Sequence, residues 1–265
     1  MARRNLLLFL CLVTGVGCHS TPQREVNVSF EARVGGTRVT CAEISSLPAG
    51  LTLSVHRLAL FVSDVRLTQV GGGQVAATLP DNGVWQGSGV GLLDFDDARC
   101  EGGTEAINTS LTTLVPGGDY QGISFTVGVP FELNHADPAK ARPPLSDTTM
   151  HWGWRGGYKF FRLDGKLGDR SFITHLGSTA CEGEITHITS CGAPNRIRVD
   201  LPLFDLGKPT IGIELAGMLQ GLLSTAPSEG RLSCMAAPEE VGCPPVMAAF
   251  GLAAPGGHQE VFVTP

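Results

Sequence analysis

Short runs in which apolar and polar residues alternate with a period of two, cut by glycine and proline, constrain what this chain can fold into. Val26, Val28, Phe30, Ala32 and Val34 alternate in one run, and Ile123, Phe125, Val127 and Val129 in another. Successive side chains of an extended strand point to opposite faces, so each run offers one apolar face to a core. Further strands are expected over 51–67, 90–95, 158–163, 171–176, 197–201, 211–215 and 261–263. Gly71-Gly72-Gly73, Pro116-Gly117-Gly118 and Pro255-Gly256-Gly257 interrupt these runs, because glycine tolerates the positive φ of tight turns. With 35 glycines and 17 prolines, the chain reads as all-β: an antiparallel β-sandwich or irregular barrel with long loops. One short helix is expected over 215–223, and 134–150, rich in Pro, Ala and Asp, is expected to be a long loop that carries function or wraps the sheet. No repeat or linker divides the chain, so residues 18–265 form a single β-rich domain.

The first residues, Met1-Ala2-Arg3-Arg4, lead into the apolar run Leu6 to Val13 and the small residues Thr14 to Cys18, the order of a secretory signal over residues 1–17. That run is far short of the roughly 20 apolar residues a membrane-spanning helix needs. Cys18 stands where a bacterial lipoprotein carries its acylated cysteine, although Gly15 replaces the usual leucine, so lipidation and ordinary cleavage both stay open. With the leader and its two arginines gone, 17 of the 19 basic residues face 25 acidic ones, a net charge of −8 that disfavours nucleic acid and favours a cation.

Six cysteines remain: Cys41, Cys100, Cys181, Cys191, Cys234 and Cys243. An even set in an exported chain reads as three disulfides. Cys181 with Cys191 and Cys234 with Cys243 close short loops that contain Gly or Pro, which leaves Cys41 with Cys100. A thiolate zinc site would call for close CxxC pairs, and the sequence has none.

Phosphate loops, nucleophile elbows and HExxH helices are missing, which weakens an enzymatic reading. The chemistry-bearing residues gather in Phe131-Glu-Leu-Asn-His-Ala-Asp-Pro138, Met150-His-Trp-Gly-Trp-Arg-Gly-Gly-Tyr-Lys-Phe160 and His175-Leu-Gly-Ser-Thr-Ala-Cys181. If 150–154 is extended, Met150, Trp152 and Trp154 share a face and His151 takes the other. A thioether beside two indoles suits Cu(I), which prefers sulfur and imidazole to hard donors. Packing is the competing account of that face, and a satisfied core imidazole is the competing account of His175. His135 fits a capping or surface role as readily as a ligand, with Asp137 placed to orient its ring. His56, in the even register with Arg66, reads as solvated, and His187 and His258 as exposed. Asp94-Phe-Asp-Asp97 lacks the glycine and distal Glu of an EF-hand loop and reads as a polar strand end.

Taken together, Phe61-Val-Ser-Asp-Val-Arg-Leu67, Val90-Gly-Leu-Leu-Asp-Phe95, Phe125-Thr-Val-Gly-Val-Pro-Phe-Glu-Leu-Asn-His135, Trp152-Gly-Trp-Arg-Gly-Gly-Tyr-Lys-Phe160 and the His175 to Cys181 stretch, with Cys191, Asn195-Arg196 and Cys234-Met235, resemble the copper-binding MbnP-like proteins, the four-Cys partner of the metallo-mystery pair. The resemblance spans nearly the whole mature chain. It implies a non-enzymatic Cu(I) carrier or store, in the periplasm or as an outer-membrane lipoprotein of a Gram-negative bacterium. It also implies a partner, a dihaem cytochrome c peroxidase-like (MbnH-like) enzyme that oxidises a tryptophan to kynurenine and so completes the copper site. Carried onto this sequence, it places copper ligands at His135 and His175, with Met150 or Met235 as a soft third. The oxidised residue is one of Trp85, Trp152 and Trp154, with Trp154, inside the WxW-GYKF stretch, preferred. His56 and His151 are not part of the resemblance. A metal-free structural or adhesive envelope domain, or a hydrolase with an unrecognised site, are the alternatives.

Overall fold

Thr52–Gln69 is the strand around which the larger sheet is built. It pairs antiparallel with Val90–Asp94, Tyr120–Val127 and Phe161–Leu167. Its middle, rich in the branched and aromatic residues that suit a pleated surface, is buried on both sides. Leu58, Leu60 and Val62 enter the main core, whereas Ala59 and Phe61 enter a second cluster with Met150, Tyr158 and Phe160. A strand covered on both faces shows a continuous apolar run instead of alternation, which is what Leu58 to Val62 displays. Val55 pairs with Gly165 while Arg57 pairs with Asp164, so His56 is an extra residue in a bulge. That removes His56 from the regular solvated face expected of it and leaves it half-buried.

The structure, a computed structural model, describes residues 22–264 apart from 42–44, 47–49, 51, 101–102, 104, 186 and 226–229. The expected signal segment, its boundary at 17 and Cys18 lie outside the described residues. Among the described residues the strands form a sheet of ten, a sheet of five and two two-stranded ribbons, and no helix is long and apolar enough to cross a membrane. In the smaller sheet Gln23–Val34 pairs antiparallel with Ser110–Pro116 and parallel with Thr210–Glu214. The two sheets share one core: Phe30 meets Phe125 edge-on at 5.8 Å and Phe125 meets Phe262 at 5.6 Å. The all-β expectation holds, with one refinement. The sheets are mixed, because Arg170–Leu176 also takes a parallel neighbour, Leu232–Cys234, after a long crossover.

The expected helix is Ala216–Ser224, which buries Met218, Leu219 and Leu222. A second one, Cys243–Ala249, went unforeseen because seven residues are too few to show a helical period; Pro244 near its start is preset for a first turn. All three disulfides form as expected: Cys41–Cys100, Cys181–Cys191 and Cys234–Cys243. Cys181–Cys191 crosslinks two facing positions of the Thr179–Glu184 and His187–Ala193 hairpin, which forms a ribbon of its own.

Candidate metal centre

The long 134–150 connection follows the short helix Phe131–Asn134, whose last residue ties the first motif stretch to the second. The buried Asn134 accepts a hydrogen bond from the Tyr158 amide at 2.8 Å through Oδ1. Its Nδ2 donates to the Gly156 carbonyl at 3.1 Å and approaches His135 Nε2 at 3.1 Å. Gly157 has to be glycine, since a Cβ there would come within 2.4 Å of the Asn134 carbonyl. The amide thus clamps the hairpin made by His151–Gly153 and Gly157–Tyr158.

That hairpin does not keep the expected common face. The strand ends at Gly153 and turns, so Met150, Trp152 and Trp154 diverge. Met150 is fully buried in the second cluster with Leu145, Tyr158 and Phe160. Trp154 is 48% exposed. Trp152 is half-buried against the main core, and its ring lies over two glycines. A Cβ on Gly177 would meet that ring at 3.2 Å and the Tyr158 carbonyl at 2.6 Å, and one on Gly156 would meet the ring at 3.7 Å. Trp85 packs against the second cluster, in a turn held by the Asn82 side chain.

His175 stands edge-on to Trp152, ring centroids 6.3 Å apart. Its Nε2 is 2.6 Å from Asp164 Oδ1, and Arg162 holds the other oxygen of that carboxylate at 2.8 Å. A carboxylate accepts only, so Nε2 carries a proton, and in the neutral ring a metal needs, Nδ1 carries the lone pair. That Nδ1 is buried with no hydrogen-bond partner. An imidazole fixed by a carboxylate, with its other nitrogen bare, is how metal-binding histidines are oriented. Sequence reasoning missed Asp164 and Arg162, whose charged pair looks like an ordinary solvated strand face. The diagonal meeting of Asp164 with His175 follows from the pairing of Phe161–Leu167 with Arg170–Leu176, a register that one sequence does not reveal.

His135 is partly buried, and burial holds its imidazole below the usual histidine range, hence neutral. Since Asn134 Oδ1 is committed to Tyr158, its amide group donates and His135 Nε2 accepts. The same nitrogen lies 3.4 Å from Cys191 Sγ, and Nδ1 is buried without a partner. Asp137 does not orient this ring; it accepts from the Ala139 amide and pairs with Lys140. His151 packs on Tyr158 at 5.2 Å, and His187 and His258 are exposed. Asp96 is buried against Arg57 and accepts from the Leu58 amide at 2.6 Å, which makes the acidic strand end a structural element.

A cavity of about 510 Å³ opens beside Trp152, lined also by Trp154, Arg155, Ser178, Cys181 and Met235. Of the two methionines considered as donors, Met235 borders this space. His175 stands against Trp152 and Met235 borders the cavity, whereas His135 lies at the Cys181–Cys191 disulfide; imidazole and thioether donors of this kind suit a soft or borderline metal ion.

No curated protein matches the chain. MbnP from Methylosinus trichosporium has a similar solved structure, with 27% identity and a TM-score of 0.76 over 91% of this chain and 98% of that one. The MbnP family model matches residues 23–236, and the chain belongs to the MbnP family.

Proposed function

We propose that the protein is an exported, non-catalytic Cu(I) carrier or store whose site is built around Trp152 from His175, with Met235 as a thioether donor at the cavity, and that His135 is a second copper-binding imidazole, placed at the Cys181–Cys191 hairpin. The observation that carries this reading is the bare, buried Nδ1 of His175, held toward the interior by the Asp164 carboxylate beside the indole. Imidazole and thioether donors select Cu(I) over hard cations. Asp164 and Arg162 set the tautomer and orientation of His175, Asn134 sets those of His135, and Gly156 and Gly177 leave room for the Trp152 ring. The chain would be exported by the 1–17 signal, with the three disulfides suited to an oxidising compartment, the periplasm or, through Cys18, the outer membrane.

Membership of the family also supports maturation by a dihaem cytochrome c peroxidase-like partner. Two equivalents of peroxide would cleave the indole C2–C3 bond, leaving one oxygen atom on each carbon and releasing two waters; hydrolysis of the resulting formyl group then releases formate and leaves kynurenine. The resulting aryl amine and ketone add donors that an indole lacks. Trp152 is our candidate in place of Trp154, because its ring, and not the exposed one, stands against His175. Protein purified from its own host should bind one Cu(I) tightly in competition with a chromophoric chelator, and His175→Ala should lose that binding. Peptide mapping should find residue 152 heavier by two oxygens and lighter by one carbonyl. Unaltered Cu(I) binding by His175→Ala would refute the ligand assignment, and an unmodified Trp152 in copper-loaded protein would refute the maturation step.

A further inference from the structure

A second group of soft donors lies apart from the Asp164–His175 pair. A ring nitrogen of His135 and the sulfurs of Cys181 and Cys191 all fall within 4.8 Å of one another. The two sulfurs are joined in a disulfide, and it is the thiolate, not the disulfide, that serves as a metal ligand. We propose that Cys181 and Cys191, once opened by a dithiol reductant, join His135 as a sulfur-rich Cu(I) site, so that the redox state of this hairpin sets how much copper the protein holds.

Four features favour it. His135 Nε2 already lies 3.4 Å from Cys191 Sγ, so the donors converge, and copper has only to replace the Asn134 amide as the partner of that nitrogen's lone pair. Arg155 reaches the Cys181 carbonyl at 3.2 Å, and a nearby cation favours the thiolate. Cys181 borders the open cavity and Cys191 is partly exposed, whereas Cys234 and Cys243 are fully buried. The hairpin is a separate ribbon, so opening its crosslink leaves the ladders of both large sheets intact. In the chemical step, the dithiol delivers two electrons and two protons to the S–S bond. The bond breaks to two thiols here while the donor closes to its own disulfide, and Cu(I) then displaces the thiol protons into solvent.

The inference takes its metal from the proposed function, and one experiment separates the two. The full chain is titrated with Cu(I) against a chromophoric chelator, as purified and after anaerobic dithiothreitol treatment and removal of the reagent, with alkylation mapping to confirm new thiols at 181 and 191. Reduction should add a second equivalent of Cu(I), a near-ultraviolet sulfur-to-copper band and a sulfur scatterer in the X-ray absorption spectrum. All three should vanish in Cys181→Ser/Cys191→Ser, and His135→Ala, which keeps both thiols, should weaken the added equivalent about tenfold or more. If reduction adds no copper, or the added copper shows no sulfur, the inference is wrong even where binding through His175 persists. If only the reduced protein binds copper and the serine variant does not, the inference stands and the imidazole-centred reading falls.

Discussion

At the residue scale the site depends on which nitrogen of each imidazole carries its proton. Asp164 decides this for His175, and the Asn134 amide decides it for His135. Neither residue would touch the metal in our reading, so their effects should be graded. Asp164→Ala should lower Cu(I) affinity about 10–100-fold, the usual cost of losing such a supporting group. Asp164→Asn, whose amide oxygen still accepts from Nε2, should recover part of that loss, as read in the same competition titration. Equal loss in both variants would mean that carboxylate charge, not orientation, is what matters. The ligand candidates at His135 and His175 could be named from residue type and family pattern. Their supporting groups could not, because Asp164 meets His175 only through the register of two paired strands, and Asn134, although it adjoins His135, is fixed by Gly156 and Tyr158, which nothing local marks as its partners.

At the element scale, glycines let the Trp152 hairpin lie against the sheet. Gly177→Ala would drive a methyl group into the Tyr158 carbonyl and the Trp152 ring. It should destabilise by about 1–3 kcal/mol, as overpacking does, and shift tryptophan emission as the ring moves. Gly217→Ala, in the Ala216–Ser224 helix with nothing near its Cβ position, should instead stabilise by about 0.5–1 kcal/mol. Denaturant midpoints of the two variants should therefore move in opposite directions. Alternating strands such as Gln23–Val34 and Ile197–Leu201 were legible in the sequence because burial of one face imposes the period. The bulge at His56 and the divergence of Met150, Trp152 and Trp154 were not, since an inserted or turning residue inverts the faces without changing composition. The Thr179–Glu184 and His187–Ala193 ribbon is largely exposed and held by its disulfide, so it carries little apolar pattern to read.

At the scale of the molecule, buried charge makes stability depend on pH. Burial, with the Asp96 charge adding to it and the Asp96 amide and Arg57 opposing it, pushes the Asp94 carboxyl up from 3.8 to about 6. The folded state therefore holds this proton where the unfolded chain has released it. Its stabilising contribution is complete below about pH 4 and is lost as the pH rises through about 6. Asp94→Asn should flatten the fall in urea midpoint across that window, and an unchanged slope would assign the effect to other groups. Asp96, also raised by burial, should leave a residual slope.

The long strand Thr52–Gln69 finds its sheet partners as far on as Phe161–Leu167, with Val90–Asp94 and Tyr120–Val127 between. A chain emerging from the ribosome N-terminus first would thus present this long strand, with its apolar middle, about 100 residues before the last of its partners exists. Unpaired edges of this kind attract other chains. The nascent protein should accordingly depend on a holding chaperone until 161–167 has been made, and truncations ending before that point should aggregate where the full chain does not.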